Sequence, residues 1–439
     1  MAKIRKLAAL AIAGALALSV AGCASAQGAP SGGASSGKGG TLTYWSMWKE
    51  GEAQQKVLAS AIADFTKETG ITVDVQWQGR DSVKKVVPTL NTNKVPDLID
   101  SSFAKLAPVL AGTGQAKALT DAYGATVDGK KAGSLIPKAY LANDVITRKG
   151  ESAPWMLPYS LTSDAIWFNA ATHPELTAKA PSDWNGFVAE LDKLKAANEV
   201  PIAIDGDVSG YNAYWYTAAI VHLAGPGSLK KISDDKTGKA WDKPEALKAA
   251  QMVQQLAAGG YFISGYNASK WPAQQQAWAD NKAALIFNGT WIPTETQPYA
   301  AKGFQYSSFP FPTVGSNGKK VARADFIGFA VPAKAKNSAN AQKFASFFLK
   351  KKYQDALGTD AKILPVRSDA ATSSEMSTVK AALDSTHSFY VQNDGITSPG
   401  YAEKLLWPAL DQLVLGKTTA EQFVANMKAG QIDYWKQNS

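Results

Sequence analysis

Apolar and polar residues alternate strictly over residues 71–77, where Ile71, Val73, Val75 and Trp77 interleave with Thr72, Asp74 and Gln76. A period of two predicts a half-buried strand. Before it, Val57, Leu58, Ala61, Ile62 and Phe65 recur at helical spacing across residues 52–68, and Gly70 supplies a C-terminal stop. A β-prone run at 41–45 opens this unit, a helical stretch at 82–91 follows it, and 95–100 reads as a further strand. Strand–helix alternation predicts right-handed βαβ units and a mainly parallel sheet.

The same alternation returns downstream. Residues 164–168, 201–204, 283–287 and 327–331 read as strands, and 181–197, 244–258, 274–280, 339–352 and the chain from 401 as helices. No 20–50-residue repeat interrupts this pattern, which excludes a solenoid or propeller. The chain is 439 residues long, too many for one simple core, so two α/β lobes are expected.

The N-terminus departs from that pattern. Lys3, Arg5 and Lys6 precede an apolar run from residue 7 to 21, which would span about 22 Å as a helix against a hydrocarbon core of about 30 Å. It reads as a signal peptide, residues 1–22. Val20-Ala21-Gly22-Cys23 then resembles the lipobox of bacterial lipoproteins, and Cys23 is the single cysteine of the chain. The resemblance implies a diacylglyceryl anchor on Cys23; an ordinary export signal cut near residues 24–26 is the alternative. Residues 23–40, rich in Gly and Ser, read as a flexible tether. The expected location is therefore the outer face of the cytoplasmic membrane.

Composition excludes more chemistry than it supports. The net charge of +9 falls to +6 without the three leader cations, and the remaining Lys are scattered, so no nucleic-acid footprint exists. His173, His222 and His387 have no metal-ligand neighbours at helical spacing, and with one cysteine no thiolate zinc site forms. The Gly416-Lys417-Thr418 run lacks the first glycine of a phosphate loop, since Asp411 stands there. The run from Asp205 to Gly210 opens like a calcium loop but has Tyr216 at its twelfth position, and reads better as a polar turn before an aromatic helix. No metal or cofactor is expected. What stands out is 13 Trp, several beside polar residues where loops follow strands. Trp48 with Glu52, Gln78 to Asp81, Asp100 to Phe103, Tyr159, Tyr211 to Tyr216, Asn288 to Trp291, and Trp407 form that set. Carboxyl ends of parallel strands form ligand crevices, and sugars present apolar faces to aromatic rings and hydroxyls to carboxylates and amides. Each ring alone is as readily a core residue, above all Trp45 and Trp77 inside strands.

Six ordered segments carry a family resemblance: TLTYWSMWKEGEAQQKVLASAIADFTKETGITVDVQWQGRD, KVPDLIDSS, PWMLPYSLTSDAIWFN, IFNGTWIP, FIGFAVPAKAKNSANAQKFASFFL and LLWPALDQLVLGKTTAEQF. Together they resemble the extracellular solute-binding proteins of carbohydrate ABC importers, the maltose-binding-protein group. The resemblance implies a two-lobe α/β periplasmic-binding-protein fold of type II. Its lobes would be 41–162 plus 326–366 and 163–325 plus 367–439, with crossings near 160–163, 324–326 and 364–367. It implies an oligosaccharide ligand, an ABC permease as partner, a monomer, and no enzymatic activity.

By position, the resemblance places Trp48 and Glu52, Asp100 and Ser101, Tyr159 and Thr162, Tyr214 or Trp215, Asn288, Trp291, Asp325, Arg367 and Trp407 at the ligand. Thr162 stands where relatives often carry a carboxylate, which Asp325 would then supply. WSMWKEGE and QWQGRD resemble actinobacterial relatives that take xylo-, arabinoxylo- or manno-oligosaccharides. Two other classes stay open: a receptor for a polyamine, peptide or iron chelate, and a secreted carbohydrate-active enzyme.

Overall fold

The computed structural model describes residues 39–438 except 145, 149, 152, 316 and 317. Cys23, the leader and the tether up to residue 38 lie outside the described residues. Strands β1 (Gly40–Ser46), β2 (Ile71–Trp77), β3 (Leu98–Ser102) and β4 (Met156–Thr162) are followed by β5 (Asp164–Asn169), β6 (Ile202–Ala203), β7 (Leu285–Gly289) and β8 (Tyr306–Phe309). After them come β9 (Ala322–Arg323), β10 (Asp325–Ala330), β11 (Leu364–Pro365) and β12 (Phe389–Tyr390). One six-stranded sheet has the order β11-β4-β10-β3-β1-β2, and a four-stranded sheet the order β8-β5-β7-β6. The first sheet is only half parallel, against expectation. β1 pairs parallel with β2 and β3, but β10 returns from the second sheet in the opposite direction and pairs antiparallel with β3 and β4.

Local rules set most boundaries. The helix Ala53–Thr69 ends where Gly70, at φ 71°, donates its N–H to Thr66 O. Asp183 caps the helix Trp184–Ala196 by accepting from Gly186 N at 3.0 Å. The expected 82–91 helix breaks into Ser82–Val86 and a tighter turn at Val87–Thr89, because Pro88 removes a donor and restricts the residue before it. The expected 339–352 helix is two helices, Ser338–Phe347 and Lys351–Thr359, since Lys350 leaves the helical conformation at ψ 138°.

Two buried polar clusters fix the parts that carry the site. In the first, Asp100 in the middle of β3 accepts from Met47 N at 2.8 Å and from the Tyr159 hydroxyl at 2.5 Å; that hydroxyl in turn accepts from Trp48 Nε1 at 2.8 Å. Burial pushes the Asp100 carboxyl up to about 6, against the opposing hydrogen bonds from Tyr159 and Met47. The second cluster sits where the chain passes between the sheets. Arg323 of β9, 2% exposed, donates to Asp325 at 3.0 Å, lies 3.8 Å from Asp164 at the start of β5, and stacks 4.6 Å from the Tyr214 ring centre. Tyr390 of β12 reaches Asp164 at 3.3 Å. Burial disfavours the guanidinium charge, but Tyr214, Asp325 and Asp164 outweigh it and hold the proton more firmly than usual.

Removing one partner of a buried ion pair leaves the other desolvated and unpaired. Arg323→Met is therefore expected to cost about 3–5 kcal/mol of unfolding free energy in urea titrations, and a loss below about 1 kcal/mol would refute its role. Asp100 gives a pH signature. Its folded pKa of about 6 stands above the unfolded value near 4, so the folded state binds that proton more tightly, and the group's contribution to stability falls as pH rises from about 4 to about 6. Asp100→Asn is expected to flatten that fall between paired denaturations at pH 4 and pH 6; an unchanged slope would assign the effect elsewhere.

Candidate functional site

The C-terminal ends of β1 and β2 build one wall of a cleft. Gly79, at φ 73°, turns the chain after β2 so tightly that a Cβ would stand 3.1 Å from the Lys49 side chain. The turn aims Arg80 back at the β1 loop. Its guanidinium donates to Met47 O at 2.9 Å and to both Glu52 oxygens at 2.9 and 3.0 Å, and lies 4.7 Å from the Trp48 ring centre. Trp48 is 5% exposed, held from below by Tyr159. A bidentate pair laid over an indole is a pre-set cation, not a freely moving one.

The ends of β6 and β7 build the facing wall. The Trp291 ring folds back over Gly289, where a Cβ would stand 2.2 Å from the ring, so only glycine permits the pose. Tyr211, in the first turn of the helix Ser209–Ala224, stacks on Trp291 with centroids 5.8 Å apart at 28°. Trp407 covers the adjacent Gly210, 3.8 Å from where its Cβ would be, and donates to Asn393 at 3.0 Å. Tyr211, Trp291 and Trp407 all keep part of their surface open to solvent. Glu295 follows Trp291 by one helical turn. It is exposed to water, and the protein packed near it pushes its carboxyl up from the usual range. The charges acting on it are Arg80 (opposing the rise), Asp205 and Glu52 (adding to it). Arg80 and Glu52 belong to the first wall, which therefore lies within electrostatic reach of Glu295.

The structure thus brings Trp48 and Glu52 to one wall and Trp291 and Trp407 to the other. Several other expected contacts have different work. Asp100 and Tyr159 lie beneath Trp48 as its support, and Ser101 is buried in β3. Tyr214 packs under Arg323, and Asp325 is bound to Arg323 and to its own neighbour, Phe326 N. Thr162, half-buried, sits opposite Asp325 in the β4–β10 register. Trp215 is core: 2% exposed, stacked on Phe187 and edge-on to Phe287. Asn288 accepts from Trp167 Nε1 through its backbone and from Gly289 N through its side chain. Arg367 donates to Asp369, Asp128 and Leu349 O, an internal bracket remote from the aromatic wall. Arg80 and Tyr211 belong to the aromatic and polar set expected at the strand ends, though not to the contacts the resemblance implies; Asp205, read as a polar turn, and Glu295 were missed. The i, i+4 spacing of Trp291 and Glu295 was the available signal for the last.

The Multiple sugar-binding protein of Streptococcus mutans is 24% identical over 225 residues, covering 49% of this chain and 53% of that relative. The chain thus spans about half the length of the curated relatives it matches. Among solved structures, one from a study of xylan utilization by Caldanaerobius polysaccharolyticus superposes with a TM-score of 0.73 at 17% identity, covering 89% of this chain and 99% of that one. A binding protein of Bacillus subtilis in an open conformation gives 0.74 at 14% identity, covering 91% and 99%. These likenesses establish the two-lobe α/β fold of periplasmic binding proteins. The profile of the bacterial extracellular solute-binding protein family matches residues 60–383, so the chain belongs to that family, whose members bind solutes and do not transform them.

Proposed function

We propose that this protein captures an oligosaccharide outside the cell and delivers it to an ABC permease, anchored through a diacylglyceryl group on Cys23. The observation that carries the reading is the Tyr211–Trp291 stack at one set of strand ends and the Trp48–Arg80–Glu52 cluster at the other. Half-exposed rings take the apolar faces of sugar rings, and the carboxylates and guanidinium take their hydroxyls. Relatives named for sugar binding and for xylan utilization support the same class, and a β-linked xylo-, arabinoxylo- or manno-oligosaccharide is the ligand we favour.

Capture needs no covalent step. The two lobes, 41–162 plus 326–366 and 163–325 plus 367–439, would turn about the passages near Ser163 and Arg323. Sugar touches both walls only when they approach, so it favours the closed state by its differential affinity for it. The protein would act as a monomer, with the residue 23–40 tether giving it reach from the membrane surface.

Two tryptophans separate binding from folding. Trp291→Ala is expected to weaken oligosaccharide binding by about 1–3 kcal/mol in calorimetry with little change in melting temperature. Trp215→Ala is expected to remove about 3–5 kcal/mol of stability instead, as an emptied core site does. Wild-type affinity in Trp291→Ala across a panel of xylo- and manno-oligosaccharides would remove the stack from the site. For the anchor, Cys23→Ala is expected to move the protein from the membrane fraction of expressing cells to the medium; retention on the membrane would overturn lipidation at that residue.

A further inference from the structure

One short turn holds three partly open aromatic rings. Residues 205–208 leave the C-terminal end of β6 and enter the helix Ser209–Ala224, whose first turn stacks Tyr211 on Trp291. Trp407 is fixed to the same place. It covers Gly210, and Asp411, one helical turn after it, accepts from Ser209 Oγ at 2.6 Å and from Asn212 Nδ2 at 2.8 Å. The third ring is Trp271. Its segment, 266–275, lies directly on the turn: a Cβ on Gly206 would stand 2.3 Å from Tyr266 O, and Asp205 faces the Gln274 and Gln275 backbone amides that open the helix Ala273–Ala279. Trp271 N donates to Asp207 Oδ1 at 3.0 Å. Asp207 stands four residues before Tyr211, a stretch of chain that spans at most about 14 Å, which a few sugar rings cover. Trp271 is 50% exposed, the most open tryptophan among the described residues.

We propose that Trp271 is an outer platform of the same site. It stacks a sugar ring further along the ligand than the ring held at Tyr211 and Trp291, and so sets the length of oligosaccharide that binds at full strength. The inference rests on the sugar-receptor reading and adds chain-length selection to it. An open indole takes the apolar face of a pyranose on one side while the hydroxyl rim stays in water. The backbone beneath this indole is bonded to Asp207 and lodged on the turn, so little of its ordering is left to the moment of binding. A short ligand that fills the inner stack ends before Trp271; a longer one gains a further stacked ring.

Calorimetry on the detergent-solubilised full chain tests this with β-1,4-linked xylo-, manno- and gluco-oligosaccharides from dimer to hexamer. In a series that binds, wild-type affinity is expected to rise with length and then level off. The readout is the affinity of the hexamer divided by that of the shortest oligomer that binds. Trp271→Ala is expected to lower this ratio about fivefold, the effect of one lost stacking contact, at an unchanged melting temperature. Trp271→Tyr, which keeps an aromatic face, is expected to restore most of it. A ratio that Trp271→Ala leaves unchanged, or wild-type affinity that does not rise with length, overturns the inference and leaves the sugar-receptor reading standing. An unchanged ratio together with slower oligosaccharide uptake by cells carrying Trp271→Ala overturns it too, and assigns the ring to the permease contact. Absence of binding by every oligomer to the wild type overturns both readings.

Discussion

One buried cation holds the joint of this molecule together. Arg323 lies among segments from three parts of the chain: Asp164 where β5 begins, Asp325 where β10 begins, and β12, whose Tyr390 reaches Asp164. A guanidinium in the interior costs several kcal/mol to desolvate, and a single acid would not offset that. Two carboxylates and the face of Tyr214 together do. The third group matters most for function. Tyr214 belongs to the same helix as Tyr211, three residues further on, and their rings meet at 5.6 Å. The charge cluster at the joint is therefore one contact removed from the aromatic stack, so the position of the stack is tied to the joint and not to a loose surface turn.

The aromatic residues divide by depth. Trp155, Trp167, Trp241 and Trp278 are fully buried, and the indole nitrogens of Trp167, Trp241 and Trp278 each donate to an internal acceptor. Trp291 and Trp407 instead end at the open faces of their lobe. This is why counting tryptophans suggested a stacking site but could not locate it. Depth depends on which turn of a helix a ring occupies, and on whether a glycine lets it fold back, as Gly289 does for Trp291.

Legibility followed the same line. Residues 71–77 form the expected strand to the residue, because strict alternation has only one backbone solution when one face is buried. Ala53–Thr69 shifted by one position, within the usual fraying of helix ends. Tyr214 and Trp215 were natural choices as ligand contacts and are core, since the helix Ser209–Ala224 is apolar on nearly every face and buries all but its ends. Tyr211, in its first turn, escapes. Asp325 and Arg367 look like free polar groups in sequence. Both in fact hold partners two residues away, Arg323 for Asp325 and Asp369 for Arg367, and Arg367 also holds Asp128, 239 residues earlier, which no local pattern encodes. Arg80 was visible beside β2, but its hold on Glu52, 28 residues earlier, depends on two loops meeting.

The rigidity of both walls bears on the proposed closure. A long, mobile arginine would lose roughly 2 kcal/mol of rotamer freedom when a ligand fixed it. Here Glu52, Met47 O and the Trp48 ring fix Arg80 beforehand, and the Asp100–Tyr159 pair fixes Trp48 in turn. The first wall is therefore a preformed surface whose ordering cost was met during folding. The second wall is equally set, with Trp291 pinned over Gly289 and Tyr211 stacked on it. With both faces rigid, the freedom left to the system is the approach of one wall to the other. Ligand affinity would then report that single motion.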